Sequence, residues 1–299
     1  MAQLVNDVVM ERAAETAAKS APVKDGRVYV RFKRLNRILH VCMVVSFLSL
    51  AVTGLSLKFS FTPWAAWLSR MMGGFQTAGF IHRCAAVIMF GTFTTHLLDL
   101  RKMKRQSGKS WFQMVLGPDS LVPNGRDLRE LIGTLKWFVG MGPRPQYGRW
   151  TYWEKFDYFA VFWGVFINGS TGLTLWFPIF FTRIIPGSFI NVATIIHSDE
   201  ALLATGFIFT VHFFNTHLRP EKFPMDTVVF TGQMAVAELR RDKPREYDEL
   251  VASGSLEEHL EQPHPEVVVH AIRIFAWAAL TVGFSVVVWI IYAMIFAYK

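Results

Sequence analysis

The sequence is poor in charge and almost free of cysteine. Only 18% of its 299 residues are charged, against about 25% in soluble domains. The two cysteines, Cys42 and Cys84, both lie in apolar stretches. That excludes a disulfide framework, a CxxC ligand pair and an iron–sulfur cluster, and it leaves both as small packing residues. There is no CxxCH for covalent haem attachment and no Walker or Rossmann glycine motif. Cysteine sets that would bind molybdenum or nickel are also missing. The chain therefore carries no dehydrogenase site of its own, and no residue is assigned as catalytic.

Apolar residues make up 52% of the chain, and they come in long blocks. A bilayer-spanning helix needs about 20 of them in a row. Residues 38–57, 80–100, 156–177, 195–214 and 267–298 qualify. The fourth is the least apolar, because it opens His197-Ser198-Asp199-Glu200. The expected fold is an all-α membrane protein with five transmembrane helices, a four-helix bundle plus one C-terminal helix. Its parts are a cytoplasmic leader (1–30), the four-helix domain (31–218), a connecting segment (219–266) and the C-terminal span (267–299). The leader is read as frayed or loosely helical, with no function. The stretch 226–240 reads as an interfacial amphipathic helix, in a docking or capping segment and not a catalytic one.

Orientation follows from Lys and Arg, which concentrate on the cytoplasmic side. Of 31, 26 fall in residues 1–37, 101–155 and 219–273. The N-terminus and the second and fourth connections are then cytoplasmic, and the C-terminus lies on the other side. The net charge of +8 is thus a topology signal. It does not point to nucleic acid.

Ionisable residues inside spans are functional candidates by default. His40, His82, His96, His197 and His212 lie in or at the ends of the spans, and His217 lies just beyond the fourth. The separations His82–His96 and His197–His212 correspond to about 21 and 22.5 Å of helix, with offsets of about 40° and 60°. Spans two and four each offer two imidazoles on roughly one face. Run in parallel, they pair His82 with His197 and His96 with His212. Two stacked bis-imidazole sites suit two b-type haems. Ligands so far apart cannot build the compact tetrahedron that zinc requires. The chain also repeats itself. Thr53-Gly54-Leu55 precedes His82 much as Thr171-Gly172-Leu173 precedes His197, which supports the same pairing.

His217 lies five residues after His212. On an α-helix it would point about 140° away, unable to serve the same iron, and it reads as a spare proton-carrying imidazole or as a solvated residue after the span. Arg83 is a candidate partner for a haem propionate, as are Arg37 and Arg219 if they do more than anchor the chain at the membrane surface. Glu200 is a candidate to orient a ligand imidazole, or else a solvated carboxylate. Trp150, Tyr152, Trp153 and Tyr158 read as an interfacial belt in preference to a quinone pocket.

Several of these features together resemble the cytochrome b subunits of membrane-bound formate dehydrogenases, nickel–iron hydrogenases and thiosulfate reductases. The branch found beside multihaem c-type cytochromes looks closest. The matching stretches are Arg37-Ile38-Leu39-His40, Thr53-Gly54-Leu55, His82-Arg83, His197-Ser198-Asp199-Glu200-Ala201 and the run from His212 to Pro224, within residues 30–235. The resemblance implies haem b ligated by His40, His82, His197 and His212, with a quinone site beside the cytoplasmic-side haem. His96 departs from that pattern, and the His spacing within spans two and four instead resembles the cytochrome b of bc-type complexes. The partner of His212 is therefore His96 or His40. A third haem, on His40 and His217, stays open.

The resemblance further implies an electron-transfer subunit of a quinone-linked complex in the bacterial inner membrane. Its partner on the periplasmic side would be a multihaem cytochrome c or a metalloenzyme or iron–sulfur subunit. A non-haem membrane anchor or a transporter subunit is the alternative.

Overall fold

The computed structural model describes residues 26–117, 119–219, 222–223 and 225–297. It is 75% helical. Most of the 1–30 leader lies outside the described residues. Its end does not fray, because Val28–Val30 forms strand β1.

The principal helices are α1 (Arg34–Lys58), α2 (Pro63–Met71), α3 (Phe75–Ser107), α4 (Gly125–Phe138), α5 (Tyr152–Trp176) and α6 (Ser188–Phe207). α6 continues as two π-helical turns, Ile208–His212 and Phe214–Leu218. Beyond these lie β2 (Gln233–Ala235), α7 (Val236–Asp242), α8 (Pro244–Ala252), β3 (Leu260–Glu261) and α9 (Glu266–Tyr292). Among the described residues, four helices are long and apolar enough to cross a membrane: α1, α5, α6 with its π extension, and α9 with the turn after it. The expected second span is a 33-residue helix, α3, yet it is not among the four. His82, Arg83 and His96 dilute its apolar run.

α5 starts where Thr151 and Glu154 form a reciprocal cap, satisfying amides that the helix leaves unpaired. α1 packs along α3, and α5 along α6. α9 stands outside these two pairs. It joins α1 and the π-helical turns through a core of Leu55, Phe59, Phe209, Phe213, Leu280 and Val286. A side chain at Gly283 would collide with the Phe209 ring, so the contact depends on that glycine. Cys84 is exposed on α3 and not packed.

The segment 226–240 is not an interfacial helix. It forms a short helical turn, β2 and most of α7, and its Val228, Met234 and Leu239 are buried with Tyr29, Tyr247 and Leu256. β1 is the centre of a three-stranded antiparallel sheet, ordered β2-β1-β3. The sheet, α7 and α8 form a cap, fastened to α5 through Arg31 and Lys243.

Buried charges hold the cap to the helices. The Arg31 guanidinium lies 3.0 Å from Glu246 and 3.3 Å from Glu154. Arg149 reaches the other Glu246 oxygen at 2.8 Å, and Tyr29 donates to the same carboxylate at 2.9 Å. Lys243 pairs with Glu154. Burial pushes its ammonium down to about 8, even though Glu154 favours the charged form.

Candidate functional site

The repeated Thr-Gly pairs form two matching cradles. In α1, Thr53 donates its hydroxyl proton to the Ser49 carbonyl at 2.6 Å. The Thr53 oxygen can then only accept, and it lies 2.9 Å from His82 Nδ1 on α3. In α5, Thr171 donates to the Ile167 carbonyl at 2.6 Å, and its oxygen lies 3.2 Å from His197 Nδ1 on α6. The Asn168 carbonyl, 3.1 Å away, is a second acceptor for that Nδ1. Both imidazoles must therefore carry hydrogen on Nδ1, which leaves the Nε2 lone pair bare.

The glycines allow the close approach. A Cβ at Gly54 would sit 3.2 Å from His82 Cε1, and one at Gly172 would sit 3.0 Å from His197 Cε1. Both contacts are tighter than a packed interior tolerates without shifting. The two rings face each other with centroids 6.2 Å apart and planes inclined at 76°. Imidazole nitrogens bonded at about 2.0–2.1 Å on opposite sides of one metal ion place their ring centroids about 6 Å apart. The pair thus already has the spacing that axial ligation of a haem iron requires.

Between these helices runs a cavity of about 1230 Å³, lined by His40, His82, His96, His197, His212 and His217. All six histidines of the sequence argument share this one space. It exceeds the roughly 300–1,000 Å³ typical of a single small-molecule site. Among the described residues there is no group of three or more His, Cys, Asp or Glu able to hold a metal ion.

At the end nearer the cap, His96 has a hydrogen-bond partner of its own. Its Nε2 lies 2.8 Å from the Tyr158 hydroxyl, and its ring packs against Phe162. His212 directs Nδ1 to the Asp157 carboxylate at 3.0 Å. The α-helical estimate that turned His217 away from His212 fails. Hydrogen bonds in a π-helix link residues five apart, so the π-helical turns place His217 one turn beyond His212. His40, His212 and His217 lie within electrostatic reach of one another. The Nδ1 atoms of His40 and His217 are buried with no hydrogen-bond partner.

The other candidates divide. Arg83 and Arg219 line the cavity. Arg219 lies over the Trp153 ring at 5.1 Å and keeps a buried, unpartnered Nε. Arg37 is instead tied to the Thr231 carbonyl and to His264 Nε2, locking the connecting segment onto α1. The orienting role considered for Glu200 belongs to Thr171 and the Asn168 carbonyl. Trp150, Trp153 and Tyr158 line the cavity. Asp157 escaped the sequence reading, although a carboxylate just inside the apolar block 156–177 was itself a signal.

The chain matches no protein-family model and no curated relative.

Proposed function

We propose that this chain is the b-type dihaem cytochrome subunit of a respiratory redox complex. It would pass electrons between the quinone pool and a partner on the opposite side of the membrane. The observation that carries this reading is the opposed His82–His197 pair, 6.2 Å between centroids, with both Nε2 atoms bare and each ring seated over a glycine. A packing histidine has no need of two matched threonine acceptors and an apolar space in front of its free nitrogen.

Haem bound in the cavity would supply reversible one-electron chemistry at iron. The rest falls to the chain. His82 and His197 would hold one haem, and the hydrogen bonds of Thr53 and Thr171 fix ring orientation and raise imidazole basicity. His212, oriented by Asp157, is one ligand of the second pair, with His40 as its partner. His96 is committed to Tyr158. Arg83 and Arg219 offer guanidinium groups to propionates, one at each end. His217, beside the second pair and with a buried, unpartnered Nδ1, is the residue to exchange a proton with a quinone.

The cap supports five spans, with α3 as the additional one. β1 pairs with β2 and β3, so residues 28–30 and 233–261 share one side of the membrane. The chain between them must then cross an even number of times. α1, α5 and α6 make three crossings, and α3 makes the fourth. That shared side carries most of the Lys and Arg, so it is the cytoplasmic one, with the C-terminus on the periplasmic side.

The test is an optical spectrum with haem quantitation on the purified chain. About two b haems per chain are expected, and about one in His197→Ala. A chain without haem, or a variant with unchanged haem, would end the proposal.

A further inference from the structure

Helix α4 is amphipathic with its polar side inward. Its buried residues are Asp127, Glu130 and Thr134. Asp127 is paired with Lys155 at 2.9 Å, Glu130 with Arg245 at 3.0 Å, and Thr134 with the Tyr147 hydroxyl at 2.7 Å. At about 100° per residue, a second sector gathers Leu128, Leu131, Ile132, Leu135 and Phe138. These point outward, with Leu128 60% and Phe138 72% exposed. A helix at the surface of a soluble domain buries its apolar stripe. This one presents it and fastens its polar stripe to the protein, as a helix lying in a membrane interface does.

The third sector is basic. Arg126, Arg129 and Lys136 line a cleft of about 810 Å³, completed by Arg144 and Arg245 from outside the helix. Glu130 is the one acidic residue lining it, and it is paired with Arg245. Arg144 is steadied over the Trp137 and Tyr147 rings at 5.5 and 6.0 Å. Gly133 lets Pro145 pack onto the helix, since a Cβ there would meet Pro145 Cγ at 3.0 Å. An excess of cations beside an exposed apolar face matches one chemistry, an anionic head carrying hydrocarbon chains.

We infer that α4 and its cleft form a binding site for an anionic phospholipid of the cytoplasmic leaflet. The phosphate sits among Arg126, Arg129, Lys136 and Arg144, and the acyl chains lie along Leu128, Leu135 and Phe138. The location is consistent, because α4 belongs to the Lys- and Arg-rich connection, and juxtamembrane basic groups face the anionic leaflet. A nucleic acid or a free phosphate would have no use for the apolar sector. The inference rests on the membrane character of the chain and not on haem.

The experiment is native mass spectrometry of the full chain in detergent, titrated with phosphatidylglycerol or phosphatidylcholine. Phosphatidylglycerol should be retained at least tenfold better. In Arg126→Gln/Arg129→Gln/Lys136→Gln the preference should collapse, each lost cation lowering retention roughly fivefold. A control, Arg101→Gln/Lys102→Gln/Arg105→Gln, alters exposed charges of the same connection outside the cleft and should keep it. The haem spectrum should not change in either variant, so failure here is separable from failure of the haem proposal. Equal retention of the two lipids would overturn the inference. So would equal loss in the control, displacement of the lipid by millimolar inorganic phosphate, or a triple variant that loses self-association but keeps the lipid.

Discussion

Thr53 Oγ1 accepts a hydrogen bond from His82 Nδ1 at 2.9 Å, across the interface of α1 and α3. Its counterpart, Thr171, does the same for His197 at 3.2 Å, between α5 and α6. A hydroxyl that has given its proton to the preceding turn is a fixed acceptor, so two separate helix pairs impose the same tautomer on two facing rings. The internal repeat is therefore a repeat of imidazole orientation as well as of sequence.

Thr53→Val and Thr171→Val keep the shape and remove the acceptor. Each should weaken haem retention about 10- to 100-fold, the usual effect of losing a partner behind a ligand. Haem transfer to apomyoglobin measures it. The Thr171 variant should be the milder one, because the Asn168 carbonyl remains 3.1 Å from His197 Nδ1. Unaltered transfer in both variants would reduce the threonines to packing.

The other end separates two histidines that the sequence could not. His40→Ala should lose the haem nearer the cap, while His96→Ala keeps it, because His96 Nε2 is engaged by Tyr158 at 2.8 Å. Haem content read with the potential of the remaining haem decides between them. Loss in His96→Ala with retention in His40→Ala would reverse the pairing.

Much of this was legible from residue types and spacing. The apolar blocks located the long helices, and the Thr-Gly repeat located the first imidazole pair. What was not legible depends on local departures from ideal helix and on long-range pairing. A fixed 100° per residue misplaced His217, because the chain after Phe207 winds as a π-helix. His96 looked like a ligand by depth, and only the position of Tyr158 on α5 shows its nitrogen to be taken. The cap was hidden because β1 is three residues long and its partners lie some 200 positions away. No local pattern encodes such a pairing.

With strands β1, β2 and β3 on one side, α3 would be a crossing, and impermeant thiol labelling tests it. In a Cys42→Ser/Cys84→Ser background, Lys109→Cys and Ser255→Cys should label from the same side, and Thr182→Cys from the other. Lys109 and Thr182 are exposed, and Ser255 is half-buried. If Lys109→Cys labelled with Thr182→Cys, α3 would not cross, and the cap could not assemble as described.

The cap should respond to pH in two separate windows. Burial alone would raise the Asp242 carboxyl. Hydrogen bonding from Arg241 and the charge of Lys222 outweigh it and hold the carboxyl below its ordinary 3.8. Asp242 therefore stabilises the fold fully above that value, and the contribution fades as pH falls through the lower, folded value. Asp242→Asn should cost about 2 kcal/mol near pH 6, the scale of hydrogen bonds to a charged group, and the cost should shrink below pH 4. Lys243 acts in the opposite sense. Its folded value of about 8 lies below the ordinary 10.5, so between the two the unfolded chain binds more protons than the folded one. Stability then rises with pH across that window. Hydrogen exchange of amides 239–247, corrected for the intrinsic rate at each pH, should show protection increasing from pH 8 to 10. Lys243→Met should flatten the increase, because the group that gives up its proton is gone. Protection that instead fell with rising pH in the wild-type chain would mean that the ion pair with Glu154 outweighs the burial of Lys243.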